Sequence, residues 1–167
     1  MKLFNRLIFI FLFVFLNGCG FQPLYLDMKK VLNYKINIIV KTKEPAPSDI
    51  QIMKNLLSER LHTPNAKPSE LRLILAMTKS KFGLGLQKDL TTTKYGVRYN
   101  IDFAFYDAKG LVSKGTVEKQ SSFDFGESAY ANLVAEETAN KNVLKLLANE
   151  IATLTLTLRS FSRKIYP

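Results

Sequence analysis

Residues 95–106 read Tyr95-Gly96-Val97-Arg98-Tyr99-Asn100-Ile101-Asp102-Phe103-Ala104-Phe105-Tyr106 and decide the fold. Tyr95, Val97, Tyr99, Ile101, Phe103 and Phe105 fall at a period of two on one face. Arg98, Asn100 and Asp102 take the other. Successive strand side chains point to opposite sides, so this is a strand with one buried and one polar face. Asp107-Ala108-Lys109-Gly110 follows, a turn signal. The run 111–125 should therefore pair back as an antiparallel hairpin.

Upstream, Tyr34, Ile36, Ile38 and Val40 alternate with Lys35, Asn37 and Lys41, predicting a half-buried strand over 34–41 that Pro45 and Pro47 end. Ser48 can cap a helix, with Gln51 completing a capping-box pattern. Ile50, Met53, Leu57 and Leu61 then form one apolar stripe. His62-Thr63-Pro64 stops that helix, and 65–69 is a turn-rich connector. Leu71, Leu73, Leu75 and Met77 mark a further strand over 70–78. Residues 79–93, with Gly83 and Gly85 among apolar residues, read equally as a bent strand extension, a bulge or a loop.

From Ser128 to about Arg159 neither Gly nor Pro occurs, and Val143, Leu147, Ile151, Leu154 and Leu158 keep one helical face. Glu127, Glu136 and Glu137 lie toward the start and Arg159, Arg163 and Lys164 toward the end, complementing the helix dipole. The alternation Thr153–Leu158 also fits a strand. The fold class expected is α+β: a two-layer sandwich in which two helices, the second long and C-terminal, cover one face of a four-stranded mixed sheet.

The N-terminus carries an address. Lys2 and Arg6 precede the apolar run Leu7–Leu16, which is too short to span a bilayer and fits the core of a signal peptide. Leu16-Asn17-Gly18-Cys19 matches a lipobox, in which the thiol of Cys19 receives a diacylglycerol and becomes the mature N-terminus. This also accounts for an odd, single cysteine. Gly20, where Asp would signal retention at the inner membrane, favours the outer membrane, periplasmic side. The expected organisation is a signal peptide over 1–18, a lipidated tether over 19–33 and a single domain over 34–162.

Among 167 residues, 24 Lys and Arg stand against 14 Asp and Glu, a net charge of +10; without Lys2 and Arg6 the mature chain carries +8. Such a surface suits anionic lipid, phosphorylated glycolipid or nucleic acid, and the envelope address argues against nucleic acid. His62 is the only histidine, so no Cys-His pair or histidine-rich metal site can be built, and no cofactor is expected. Asp102, Asp107 and Asp124 read as solvated strand and turn residues. Phe82-Gly83-Leu84-Gly85-Leu86 lacks the Gly-Lys-Ser/Thr ending of a nucleotide loop. Catalysis is not expected. Lys79, Lys81, Lys88, Lys94 and Arg98 cluster in sequence, interleaved with Phe82, Leu84 and Leu86. That mixture fits an amphiphile with acidic groups, or a basic strand edge that resists aggregation.

Cys19-Gly20-Phe21-Gln22-Pro23-Leu24-Tyr25 resembles the mature start of the LPS-assembly lipoprotein family LptE, in its alphaproteobacterial form. Ser128–Ala131, Ala135–Ala139 and Leu147–Ile151 resemble that family's last helix, and Tyr99–Gly115 its central strands. Leu26 stands where a glycine often follows. The resemblance implies an outer-membrane lipoprotein that plugs and helps assemble the β-barrel of LptD and binds lipopolysaccharide during its insertion into the outer leaflet. Lys79, Lys81, Lys94 and Arg98 are the lipopolysaccharide-binding candidates on charge and position, and acylated Cys19 is the contact with membrane lipid. An accessory lipoprotein of another envelope lipid transporter and an envelope hydrolase are the rival readings.

Overall fold

The computed structural model describes residues 35–42, 47–61, 67–68, 70–86 and 92–165. The chain divides into two units, Met1–Lys30 and Val31–Pro167, and the described residues all belong to the second. The expected signal peptide over 1–18 and tether over 19–33, with Cys19, and also His62 and Lys88, lie outside them.

The elements are β1 (Asn37–Thr42), α1 (Pro47–Leu61), β2 (Arg72–Leu86), β3 (Thr92–Asp107), β4 (Gly110–Asp124) and α2 (Ala129–Ile165). The strands form one sheet in the order β1-β2-β3-β4. β1 runs parallel to β2, Val40 opposite Leu75, because α1 intervenes between them. The other pairs are antiparallel. Both helices lie on one face, α1 against β1 and α2, and α2 against β3 and β4. This is the expected α+β sandwich.

Its core follows the alternation. Leu73, Leu75 and Met77 of β2, Val97, Tyr99, Ile101, Phe103 and Phe105 of β3, and Val117 and Phe123 of β4 are buried beneath the helices. The hairpin turn is the one the sequence signalled: the Asp107 carboxylate accepts the Lys109 and Gly110 N–H groups at 2.8 and 3.1 Å. Gly110 has φ +130°, a conformation a side chain disfavours.

Two details differ from the sequence reading, and two more decide between alternatives it left open. Pro47 opens α1, where its missing N–H costs nothing, and the Gln51 amide bonds down the helix to Asn55 at 2.7 Å rather than back toward Ser48. The buried face of α1 is Asp49, Met53, Leu57 and Leu61, so an acid occupies the place expected of Ile50. β2 runs on to Leu86, with register shifts around Gly85, because pairing with β3 outweighs the weak strand preference of glycine. Finally, Thr153–Leu158 is helical. Thr153, Thr155 and Thr157 donate their hydroxyls to the carbonyls four residues back at 2.7–2.9 Å, which satisfies them without a strand. The stripe of α2 is broader than expected: Leu144, Ala148, Ala152, Thr155 and Leu156 are buried, whereas Leu154 and Leu158 are half-buried.

At its start, α2 is capped by Ser128, whose hydroxyl accepts the Ala131 N–H at 3.3 Å, and Asn132 ties back to both backbone groups of Gly126. Arg60 of α1 bonds Asn149 of α2, joining the two helices.

Candidate functional site

The four basic candidates sit where β2, β3 and β4 reach the end of the sheet opposite the Asp107–Gly110 turn. Strand parity divides them. Lys79 and Lys81 continue the face of Leu73, Leu75 and Met77, so they point under the helices. Lys94 and Arg98 project from the face the helices leave open.

On the helix side, Lys79 Nζ lies 3.6 Å from Asp49 Oδ2 and 5.6 Å from the centre of the Tyr99 ring. The Tyr99 hydroxyl donates to the same carboxylate oxygen at 2.7 Å. Tyr99 is fully buried and Asp49 nearly so, so each needs the other. Burial, followed by the Asp49 hydrogen bond and charge, pushes the Tyr99 phenol well above its ordinary value. Asp49 also stands in the first turn of α1, where the helix dipole favours a negative group. This trio links α1 to the middle of the sheet.

Lys81 makes the second contact across the layers, 2.6 Å from Glu136 of α2. Its ammonium lies 5.0 Å from the ring centre of Tyr95 and 5.4 Å from that of Phe123, within cation–π range. Tyr95 stacks on Phe123 at 6.1 Å and meets Phe125 edge-on at 5.1 Å. One cation thus borders an aromatic cluster whose outer member, Phe125, is 41% exposed.

On the open face, Arg98 donates to its cross-strand neighbour Gln120 at 3.0 Å and lies 3.3 Å from Glu118. Its guanidinium stacks 5.0 Å above Phe82, which covers Gly96 in the adjacent strand. A Cβ at Gly96 would come within 2.5 Å of that ring, so the glycine makes room for the stack. Lys94 pairs with Asp124 across the hairpin at 3.7 Å, with both side chains largely in water.

The carboxylates seen in sequence have local partners: Asp102 accepts the Thr116 hydroxyl at 2.6 Å, Asp107 holds the turn and Asp124 meets Lys94. Among the described residues no three His, Cys, Asp or Glu side chains group to hold a metal, and no helix is long and apolar enough to cross a membrane. Sequence reasoning missed Asp49 and the pairing of Glu136 with Lys81. Parity did carry a signal, since extending the alternation of Leu71–Met77 by two steps places Lys79 and Lys81 beneath the helices.

No protein-family model matches the chain. No curated protein matches it in sequence. Solved structures do match. A candidate lipoprotein from Caulobacter crescentus superposes with a TM-score of 0.58 at 20% identity, covering 84% of this chain and 98% of the other. Rare lipoprotein B from Shewanella oneidensis gives 0.55 at 13% identity, over 78% and 99%. A minor lipoprotein from Acinetobacter baumannii gives 0.52 at 18% identity, over 75% and 93%. Over most of its length, the chain has the fold of these bacterial lipoproteins.

Proposed function

We propose that this protein is an LptE-type lipoprotein of the alphaproteobacterial form: anchored in the outer membrane through acylated Cys19, seated in an LptD-like β-barrel, and binding lipopolysaccharide on its way to the outer leaflet. The observation that carries the reading is a conjunction. A lipobox and a Cys19–Tyr25 start that resembles LptE precede a domain whose fold is shared with lipoproteins over 75–84% of the chain. Two acyl chains or more would hold such a protein at a membrane, since each buried methylene contributes about 0.8 kcal/mol.

The basic end suits a phosphorylated glycolipid. Lys81, Lys94 and Arg98 each keep 40–48% of the side chain in water, so a phosphate can reach them by displacing the paired carboxylate, which is exposed for Lys94 and Arg98 and half-buried for Lys81. Tyr95, Phe123 and Phe125 offer an apolar surface beside Lys81. Lys79 is different: it is turned toward the buried Asp49, and its role is to hold the fold. The lipopolysaccharide contacts therefore narrow to Lys81, Lys94 and Arg98. No catalytic role and no cofactor is part of this reading.

The test is purification of the tagged, acylated protein from outer membranes, with identification of what co-elutes. A large β-barrel recovered in equal amount is expected. Recovery of inner-membrane transporter subunits would replace the reading with an accessory lipoprotein of another lipid transporter. The acylated protein recovered alone would refute an obligate partner.

A further inference from the structure

The outer strand β4 has 15 residues, against 6 in β1 at the opposite edge of the sheet. One hydrogen bond fixes the direction of its backbone groups. The Phe125 N–H donates to the Thr93 carbonyl at 2.8 Å, and bonded pairs recur at every second residue of an antiparallel ladder. Phe123, Ser121, Lys119, Val117 and Gly115 therefore bond to β3. The N–H and C=O groups of Lys114, Thr116, Glu118, Gln120, Ser122 and Asp124 point the other way, out of the sheet edge. All six residues are exposed. Such an edge is a template for a further strand.

The charges along β4 say which strand fits. When a strand pairs antiparallel with its own copy, the residue on the two-fold axis fixes every other pair. With Thr116 there, Lys114 stands opposite Glu118 of the second copy and Glu118 opposite its Lys114, on the face the helices leave open. Thr116 meets Thr116. Opposite charges and threonine pairs are both favourable across an antiparallel pair. Lys114, Glu118 or Lys119 on the axis would set like charges face to face. Gly115 or Val117 there would set Lys114 or Glu118 against Thr116. Arg98 of the same chain lies 3.3 Å from Glu118 and keeps its carboxylate on the open face.

The helix layer agrees. Glu150 of α2 reaches Lys119 of β4 at 2.8 Å, and Leu146, one turn earlier on that flank, is 53% exposed. A second copy joined through β4 brings its own α2 alongside and covers this leucine. We propose that β4 pairs with β4 of a second copy about an axis at Thr116, giving a two-fold dimer with one continuous sheet. The inference stands apart from the lipopolysaccharide reading and concerns the chain without a barrel partner.

The test oxidises full-length Thr116→Cys and Gln120→Cys in non-ionic detergent. In the proposed dimer the two Cα atoms at position 116 lie about 5.5 Å apart, within disulfide reach, and those at position 120 about 27 Å apart. Thr116→Cys should give a dimer whose disulfide maps to position 116 by mass spectrometry, and Gln120→Cys should give none at 120. In sedimentation equilibrium Glu118→Lys should weaken association at least about tenfold, and Lys114→Glu/Glu118→Lys should restore it. A wild-type protein that is monomeric at about 100 µM overturns the proposal. So does a missing link at position 116, an equal link at position 120, or a charge swap that restores nothing. Both cysteine positions are exposed, so far-UV circular dichroism should match wild type.

Discussion

Replacing Tyr99 with Phe removes one hydroxyl from the centre of the molecule and leaves the ring's packing in place. The hydroxyl donates to Asp49 at 2.7 Å, and the Lys79 ammonium lies 3.6 Å from the same carboxylate. A hydrogen bond to a charged group contributes about 1.5–3 kcal/mol, so Tyr99→Phe should cost about 2 kcal/mol at pH 7, or about 4–8 °C in Tm for a chain of this size. The pH dependence gives an independent check. Because the folded-state phenol is held well above its ordinary value of 10.0, the folded protein keeps that proton after the unfolded chain has lost it. Wild-type stability should therefore fall by about 1.4 kcal/mol per unit above pH 10, a loss the Phe variant does not share. The two curves should meet near pH ~11.5, since the other titrations are common to both and cancel. Urea unfolding followed by circular dichroism from pH 7 to 12 measures this. Loss of less than about 0.5 kcal/mol at pH 7, or two parallel pH profiles, would refute the account of the trio.

Other perturbations separate packing from binding. Leu147→Ala, at a fully buried position of α2, should cost about 3–5 kcal/mol in chemical denaturation. Gly96→Ala should cost about 1–3 kcal/mol because its methyl meets the Phe82 ring, and the cost should largely vanish in a Phe82→Ala background, as a double-mutant cycle will report. Lys79→Ala should lower stability by about 1–2 kcal/mol, allowing for its partial exposure, and leave lipopolysaccharide affinity unchanged. Lys81→Ala should do the reverse, weakening lipopolysaccharide binding about tenfold in a pull-down titration with little effect on unfolding.

Much of this architecture is written in local pattern. The alternation through Tyr95–Tyr106, the Asp107–Gly110 turn and the Gly- and Pro-free run from Ser128 each specify an element, because side-chain period and turn chemistry act between near neighbours in the chain. The opposite facing of Lys81 and Arg98 also follows from parity alone. The partners of those residues do not, for Glu136 is 55 residues from Lys81 and Asp49 is 50 residues from Tyr99. Nothing local marks Asp49 as an acid that will be buried rather than solvated.

The sequence by itself determined the order of elements, the two-layer class and the basic character of the surface, all properties of periodicity and composition. Only the tertiary structure decided that β2 runs through Gly83 and Gly85 to Leu86, that Thr153–Leu158 winds as helix, and that Asp49 rather than Ile50 faces inward. It likewise decided which cations are neutralised at the Lys81 end of the sheet. Each of these turns on which distant segment supplies the hydrogen-bond partner, apolar cover or counter-charge, and that is set only when the layers pack.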